Sequence, residues 1–120
     1  MMFELSQKFY FEAAHTLQRT IDAEGSRRIH GHTYHAEATV SGRPDPHTGM
    51  VLDLGHFRSA IEAVRAKLDH QFLDEIAELG PATLENLCAY IFAELSKSVA
   101  RVVTVSIERP ATGDRCTYRP

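Results

Sequence analysis

Cysteine is scarce in this chain, with two in 120 residues. Cys88 and Cys116 cannot supply the disulfide framework of a small secreted domain, so a reducing, cytoplasmic location is expected. Basic charge is not in surplus either. Thirteen Lys and Arg against sixteen Asp and Glu give a formal charge of −3, whereas a nucleic-acid binder normally carries a clustered basic face. No apolar run is long enough to span a bilayer, and the N-terminus enters an alternating pattern with no signal-peptide core, so neither nucleic acid nor membrane is an expected partner. Low-complexity tracts and internal repeats are missing as well. What remains is an ordinary globular composition, 43% hydrophobic and 24% charged. The length fits one domain over residues 1–120 with a modest core. Against that background, seven histidines are more than a chain of this size needs.

Residues 2–14 alternate, with Phe3, Leu5, Phe9, Phe11 and Ala13 on one side and Glu4, Ser6, Lys8 and Glu12 on the other. That period predicts a half-buried antiparallel strand. Residues 16–29 contain Asp22, Glu24, Gly25 and Ser26 with no sustained period and predict a loop. A second strand is expected from about His30 to Ser41, with Tyr34, Ala36, Ala38 and Val40 on its apolar face. After the turn-rich stretch 42–49, Phe57, Ile61, Val64 and Leu68 recur at helical spacing and predict a helix from about Gly55 to Asp69. A second helix opens at Thr83, a good N-cap, with Leu84, Leu87, Cys88, Ile91 and Leu95 as its apolar face. Strands over Val102–Arg109 and Cys116–Tyr118 complete the order β-β-α-α-β-β. The expected class is α+β, with two helices on one face of a four-stranded antiparallel sheet. Its open edges predict a symmetric homo-oligomer.

The organising stretch is Arg28-Ile29-His30-Gly31-His32-Thr33-Tyr34. His30 and His32 point to the same side of an extended chain, and the glycine between them keeps the backbone open. His15 continues the apolar side of the first strand, so all three imidazoles face inward near strand ends. A catalytic zinc site takes three protein ligands and leaves a position for water or substrate. From spacing alone, a zinc site and three ordinary histidines are equally admissible. His35, His47 and His56 carry no such pattern. Asp69-His70 by itself reads as a helix C-terminus, where His suits the dipole. Thr83 reads as a cap, Glu85 as a first-turn acid, Glu108 as part of a solvated strand face, and Asp53 as preparation for the first helix.

Together these segments resemble the 6-pyruvoyltetrahydropterin synthase / 6-carboxytetrahydropterin synthase family over nearly the whole length. The matching pieces are Phe11-Glu12-Ala13-Ala14-His15, His30-Gly31-His32-Thr33-Tyr34, Gly49-Met50-Val51-Leu52-Asp53-Leu54, Leu68-Asp69-His70-Gln71-Phe72-Leu73, Thr83-Leu84-Glu85-Asn86-Leu87 and Glu108. The resemblance implies the tunnelling fold (T-fold), in which subunits join their sheets into a barrel of trimers, often stacked as hexamers, with active sites at subunit interfaces. It implies zinc on His15, His30 and His32, and a pterin anchored through its amino-pyrimidine ring by Glu108. Asp69 and His70 match the family's acid/base pair, and Thr83 and Glu85 match residues lining the pterin end of the pocket.

One position departs from the family. Its catalytic base is a cysteine four residues before the H-G-H, and here that residue is Ser26. A thiol titrates near pH 8.5 and can be tuned downward, whereas a serine hydroxyl is a far weaker acid. Three explanations stay open: an altered reaction served by a nearby carboxylate such as Glu24, a site engineered to stop turnover, or pterin binding without chemistry. Cys88 and Cys116 are not placed to substitute. The implied function is a zinc-dependent lyase that turns 7,8-dihydroneopterin triphosphate into 6-carboxy-5,6,7,8-tetrahydropterin, on the route to queuosine. The alternatives are the pyruvoyl-forming branch, an aldolase-like side-chain cleavage, and a non-catalytic zinc- and pterin-binding protein.

Overall fold

The computed structural model describes residues 1–120. Strand β1 (Phe3–His15) is followed by a one-turn helix α1 (Ala23–Arg27), strand β2 (His30–Gly42), helix α2 (Leu54–Leu68) and helix α3 (Leu84–Ser96). Strands β3 (Val102–Arg109) and β4 (Asp114–Tyr118) close the chain. The sheet is antiparallel throughout, in the order β1-β2-β3-β4. β1 and β2 form a long hairpin paired from Phe3↔Gly42 to His15↔His30, and the molecule is correspondingly elongated at 57 × 23 × 22 Å.

The expected alternation places one face of the sheet under the helices. Phe11, Ala13, Tyr34, Ala36, Ala38, Val105 and Ile107 are buried there. α2 lies over β1, and α3 over β3 and β4. Phe57, Ile61, Val64 and Leu68 of α2 and Leu87, Cys88, Ile91 and Leu95 of α3 supply the other half of the core. Phe11 stacks on Tyr34 with ring centroids 5.0 Å apart, tying the hairpin together just below the histidines.

Both long helices start on side-chain caps. Thr83 Oγ1 accepts from Asn86 N–H at 3.1 Å. Asp53 Oδ1 accepts from Gly55 N–H at 2.7 Å and from His56 N–H at 3.2 Å, which gives this aspartate the structural role expected of it. Asp53→Ala should lower the unfolding free energy by about 1 kcal/mol, read as a lower urea midpoint with an unchanged m-value.

Strand β4 starts at Asp114, ahead of the expected Cys116, and two further stretches differ from expectation. The stretch 16–29, expected as a loop, contains α1. Five residues are too few to show an apolar period, and the turn has no side-chain cap, with Asp22 at φ 52°. Helix α2 ends at Leu68, so Asp69 is its extended C-cap and His70 stands outside it at φ 58°.

Candidate metal centre

Antiparallel register does most of the work of assembling the histidines. His15 ends β1 and His30 begins β2 directly opposite, while His32 faces Ala13 two residues on. A period of two puts all three on the helix-covered face, at the end of the sheet where the covering thins. His15 is 1% exposed. Gly31 points the other way, and a Cβ there would make only ordinary contact with Ala13 O at 3.5 Å. Its openness therefore serves the opposite face of the hairpin and not the histidine side.

The three Nε2 atoms converge. His15 Nε2 is 2.9 Å from His30 Nε2 and 3.1 Å from His32 Nε2. The rings stand at 70° to 90° to one another, with centroids 4.5 to 5.0 Å apart. Two of the three are oriented from behind: His15 Nδ1–H donates to Ala82 O at 2.9 Å and His30 Nδ1–H to Arg28 O at 2.8 Å. Backbone carbonyls fix the tautomer and leave each Nε2 with its lone pair turned inward. Two such lone pairs facing at 2.9 Å repel unless a positive charge sits between them. Zn–N bonds of about 2.0–2.1 Å would set tetrahedral ligand nitrogens roughly 3.3 Å apart, close to the spacing here. The three side chains are thus close enough to hold one metal ion.

Electrostatics act in the same direction. Burial pushes the His15 imidazole below its usual range, with the bond to Ala82 working against the shift. His32 is pushed down to about 4, by burial first and then by the Arg109 guanidinium and its neighbouring histidines. Neutral imidazoles at neutral pH are what a metal requires.

A cavity of about 490 Å³ opens on the triad, with Ser26, Arg109, Thr112 and Asp114 among its lining residues. Ser26 is buried, its hydroxyl donating to Ala23 O at 3.0 Å and accepting from Arg19 N–H at 3.3 Å. Glu24 turns away: its carboxylate pairs with Arg28 at 2.7 Å and its side chain is 86% exposed. Arg109 was absent from the sequence-based candidates. Its signal was the one that marked His15, a polar residue continuing the inward parity of its strand after Val105 and Ile107.

The remaining candidates do not line the cavity that holds all three histidines. Asp69 and His70 are pinned to the free edge of β1. Asp69 Oδ1 accepts from Glu12 N–H at 3.0 Å, and His70 N–H donates to Glu12 O at 2.6 Å. His70 Nδ1 donates to Asp69 Oδ2 at 2.9 Å, so the C-cap of α2 and the residue after it form a hydrogen-bonded pair. The Glu12 N–H and His70 hold the Asp69 carboxyl below its usual range. The His70 ring is 76% exposed, in a groove that it lines with Gln71, Phe72 and His32 of the triad. Glu108 lies on the opposite face of the sheet from the triad, beside His35 in register, and accepts from Arg115 Nη1 at 3.1 Å. Thr83 caps α3 next to Ala82, the residue that orients His15, and Glu85 is exposed in the first turn of α3.

The fold and the triad define a class: an α+β protein with a four-stranded antiparallel sheet, two long helices on one face and a three-histidine site that can hold a metal. A family model described as 6-pyruvoyl tetrahydropterin synthase matches residues 4–120, and the chain belongs to that family. Among similar proteins, a putative 6-carboxy-5,6,7,8-tetrahydropterin synthase of Archaeoglobus fulgidus is 33% identical over 97 residues, covering 81% of this chain and 79% of that one. A 6-pyruvoyl tetrahydrobiopterin synthase of Drosophila melanogaster is 48% identical over 67 residues, which span 52% of this chain and 40% of that protein. The solved 6-pyruvoyl tetrahydropterin synthase of Caenorhabditis elegans superposes with a TM-score of 0.86 at 25% identity, over 100% of this chain and 96% of that one. The fold is therefore the T-fold of these synthases.

Proposed function

We propose that this chain is a zinc-dependent lyase that converts 7,8-dihydroneopterin triphosphate to 6-carboxy-5,6,7,8-tetrahydropterin. The observation that carries the reading is the convergence of three Nε2 atoms, two of them aimed by backbone carbonyls. His15, His30 and His32 hold the ion, which when bound supplies Lewis-acid polarisation of a substrate side-chain oxygen. His70 moves the proton. With Nδ1 committed to Asp69, its Nε2 is the atom that exchanges it. Glu108 offers two carboxylate oxygens to the paired N–H donors of an amino-pyrimidine ring. Thr83 and Glu85 line the pterin end.

Within one chain Glu108 lies on the opposite face of the sheet from the triad, while His70 and His32 line one groove beside β1. The outer edges of β4 and of the N-terminal half of β1, before Tyr10, favour a homo-oligomer, trimer or hexamer, in which one copy's Asp69-His70 dyad and Glu108 carboxylate complete another's metal site. Two free cysteines fit a reducing cytoplasm. No helix is long and apolar enough to cross a membrane.

A second reading is favoured by Ser26, whose hydroxyl proton is already given to Ala23 O. On that reading the protein binds zinc and pterin without turnover. Incubating zinc-loaded protein with dihydroneopterin triphosphate and identifying the products separates the two. Carboxytetrahydropterin with acetaldehyde and triphosphate is the expected result. A pyruvoyl product would move the protein to the other branch, and a shortened pterin would indicate aldolase-like cleavage. Unchanged substrate bound stoichiometrically would leave a binding protein.

A further inference from the structure

Arg109 takes no part in the chemistry assigned above, yet it stands against the triad. Its Nη1 lies 3.5 Å from His32 Nε2. Its Nη2 donates to Asp114 Oδ2 at 2.7 Å, and the same oxygen accepts from Thr112 Oγ1 at 2.7 Å. The guanidinium is thus held in one orientation, with 20% of the side chain exposed. Nε is buried and has no hydrogen-bond partner, and the same is true of Tyr34 Oη.

A guanidinium does not lose its proton in a protein. The fold therefore fixes a permanent positive charge beside a site built for a cation. Taken alone, that arrangement weakens metal binding. It becomes favourable once a negatively charged group sits between the two. Three neutral imidazoles leave the charge of a divalent ion uncompensated, and the carboxylate of Asp114 is already committed to Arg109. When a metal takes the His32 lone pair, Nη1 also loses its acceptor and is left free to donate into the cavity.

We infer that Arg109 is an oxyanion-holding residue, receiving the negative oxygen of a ligand with two adjacent oxygens, such as the enediolate of an α-hydroxyketone. The inference rests on the reading of the triad as a metal centre. It also bears on Ser26. Stabilising the developing anion with a fixed donor lowers the demand on the base that removes the proton, which matters in a site without a thiol.

The test is calorimetric titration of zinc-loaded protein with acetohydroxamate, a small ligand with two adjacent oxygens and one negative charge when ionised. Zinc affinity and melting temperature are measured on the same samples. Loss of one charge-assisted hydrogen bond should weaken hydroxamate binding by about tenfold or more in R109Q. Zinc should bind R109Q as tightly as wild type, or more tightly. R109K keeps the charge without the fork and should fall between them, and it carries the test if R109Q fails to fold. Unchanged hydroxamate affinity in the variant would overturn the inference, as would a parallel loss of zinc. Weakened binding of inorganic triphosphate with hydroxamate unaffected would also overturn it, assigning Arg109 to the phosphate end. A wild-type protein that takes up no zinc would sink the metal centre itself, an outcome distinct from the others.

Discussion

Protein carrying His32→Ala is expected to come off the column without zinc, while wild-type protein carries one ion per chain. His32 is the informative ligand because it is partly exposed, whereas His15 is 1% exposed and part of the packed interior. Removing the His15 ring would leave a void and strand Ala82 O, so a loss of metal there would be confounded by a loss of fold. The His32 ring ends at the cavity, and its removal deletes a ligand while the hairpin register stays in place. Loss of a group that merely orients a ligand costs about 10- to 100-fold in metal affinity, and loss of a ligand should exceed that range. Elemental analysis and competition with a chelator read the effect. Zinc retained at full stoichiometry would remove His32 from the ligand set.

The same variant should flatten a pH dependence. With its folded value near 4 and an unfolded value near 6.5, His32 takes up a proton in the unfolded chain before it does so in the folded one. The metal-free wild-type fold should therefore lose stability as pH falls from about 6.5 toward 4. The alanine variant should lose less over that window.

Ser26→Cys is expected to raise turnover by about a hundredfold or more, the lower range of what a positioned general base contributes. Ser26 lines the cavity that opens on the triad, so under the proposed function a side chain there would face the substrate. Its hydroxyl donates to Ala23 O and accepts from Arg19 N–H, which makes it a structural tie of the α1 turn. A thiol would keep that place and could ionise, helped by a permanent cation on the same cavity wall. The companion variant Glu24→Gln should leave turnover where it is, because Glu24 is turned outward onto Arg28. If Ser26→Cys gives no gain, another group already serves as base. If Glu24→Gln abolishes activity, the carboxylate must swing inward during turnover.

Residue periods carried a good deal of this. Alternation in residues 2–14 and 30–41 foretold β1 and β2. Helical spacing of Phe57, Ile61, Val64 and Leu68 foretold α2 to within a residue at each end, and Thr83 foretold the start of α3. The inward parity of His15, His30 and His32 also followed from period two, because strand geometry dictates it without reference to the rest of the molecule. Arg109 showed the same signal at the end of β3. It was hidden by the habit of assigning arginine to solvent.

What the sequence determined by itself was local: element type, the face of each side chain, and the three imidazoles sharing one side of a hairpin. Distances between groups far apart in the chain were decided only by tertiary structure. Ala82 orients His15 across 67 positions, and Arg109 meets His32 across 77. Glu12 pins Asp69 across 57. Glu24 leaves the cavity because a one-turn helix with no apolar period rotates it outward. Backbone sterics and side-chain period act between near neighbours, and so can be read along the chain. Register, packing and long-range pairing come from the collapse of the whole chain, and they exist only once it has folded.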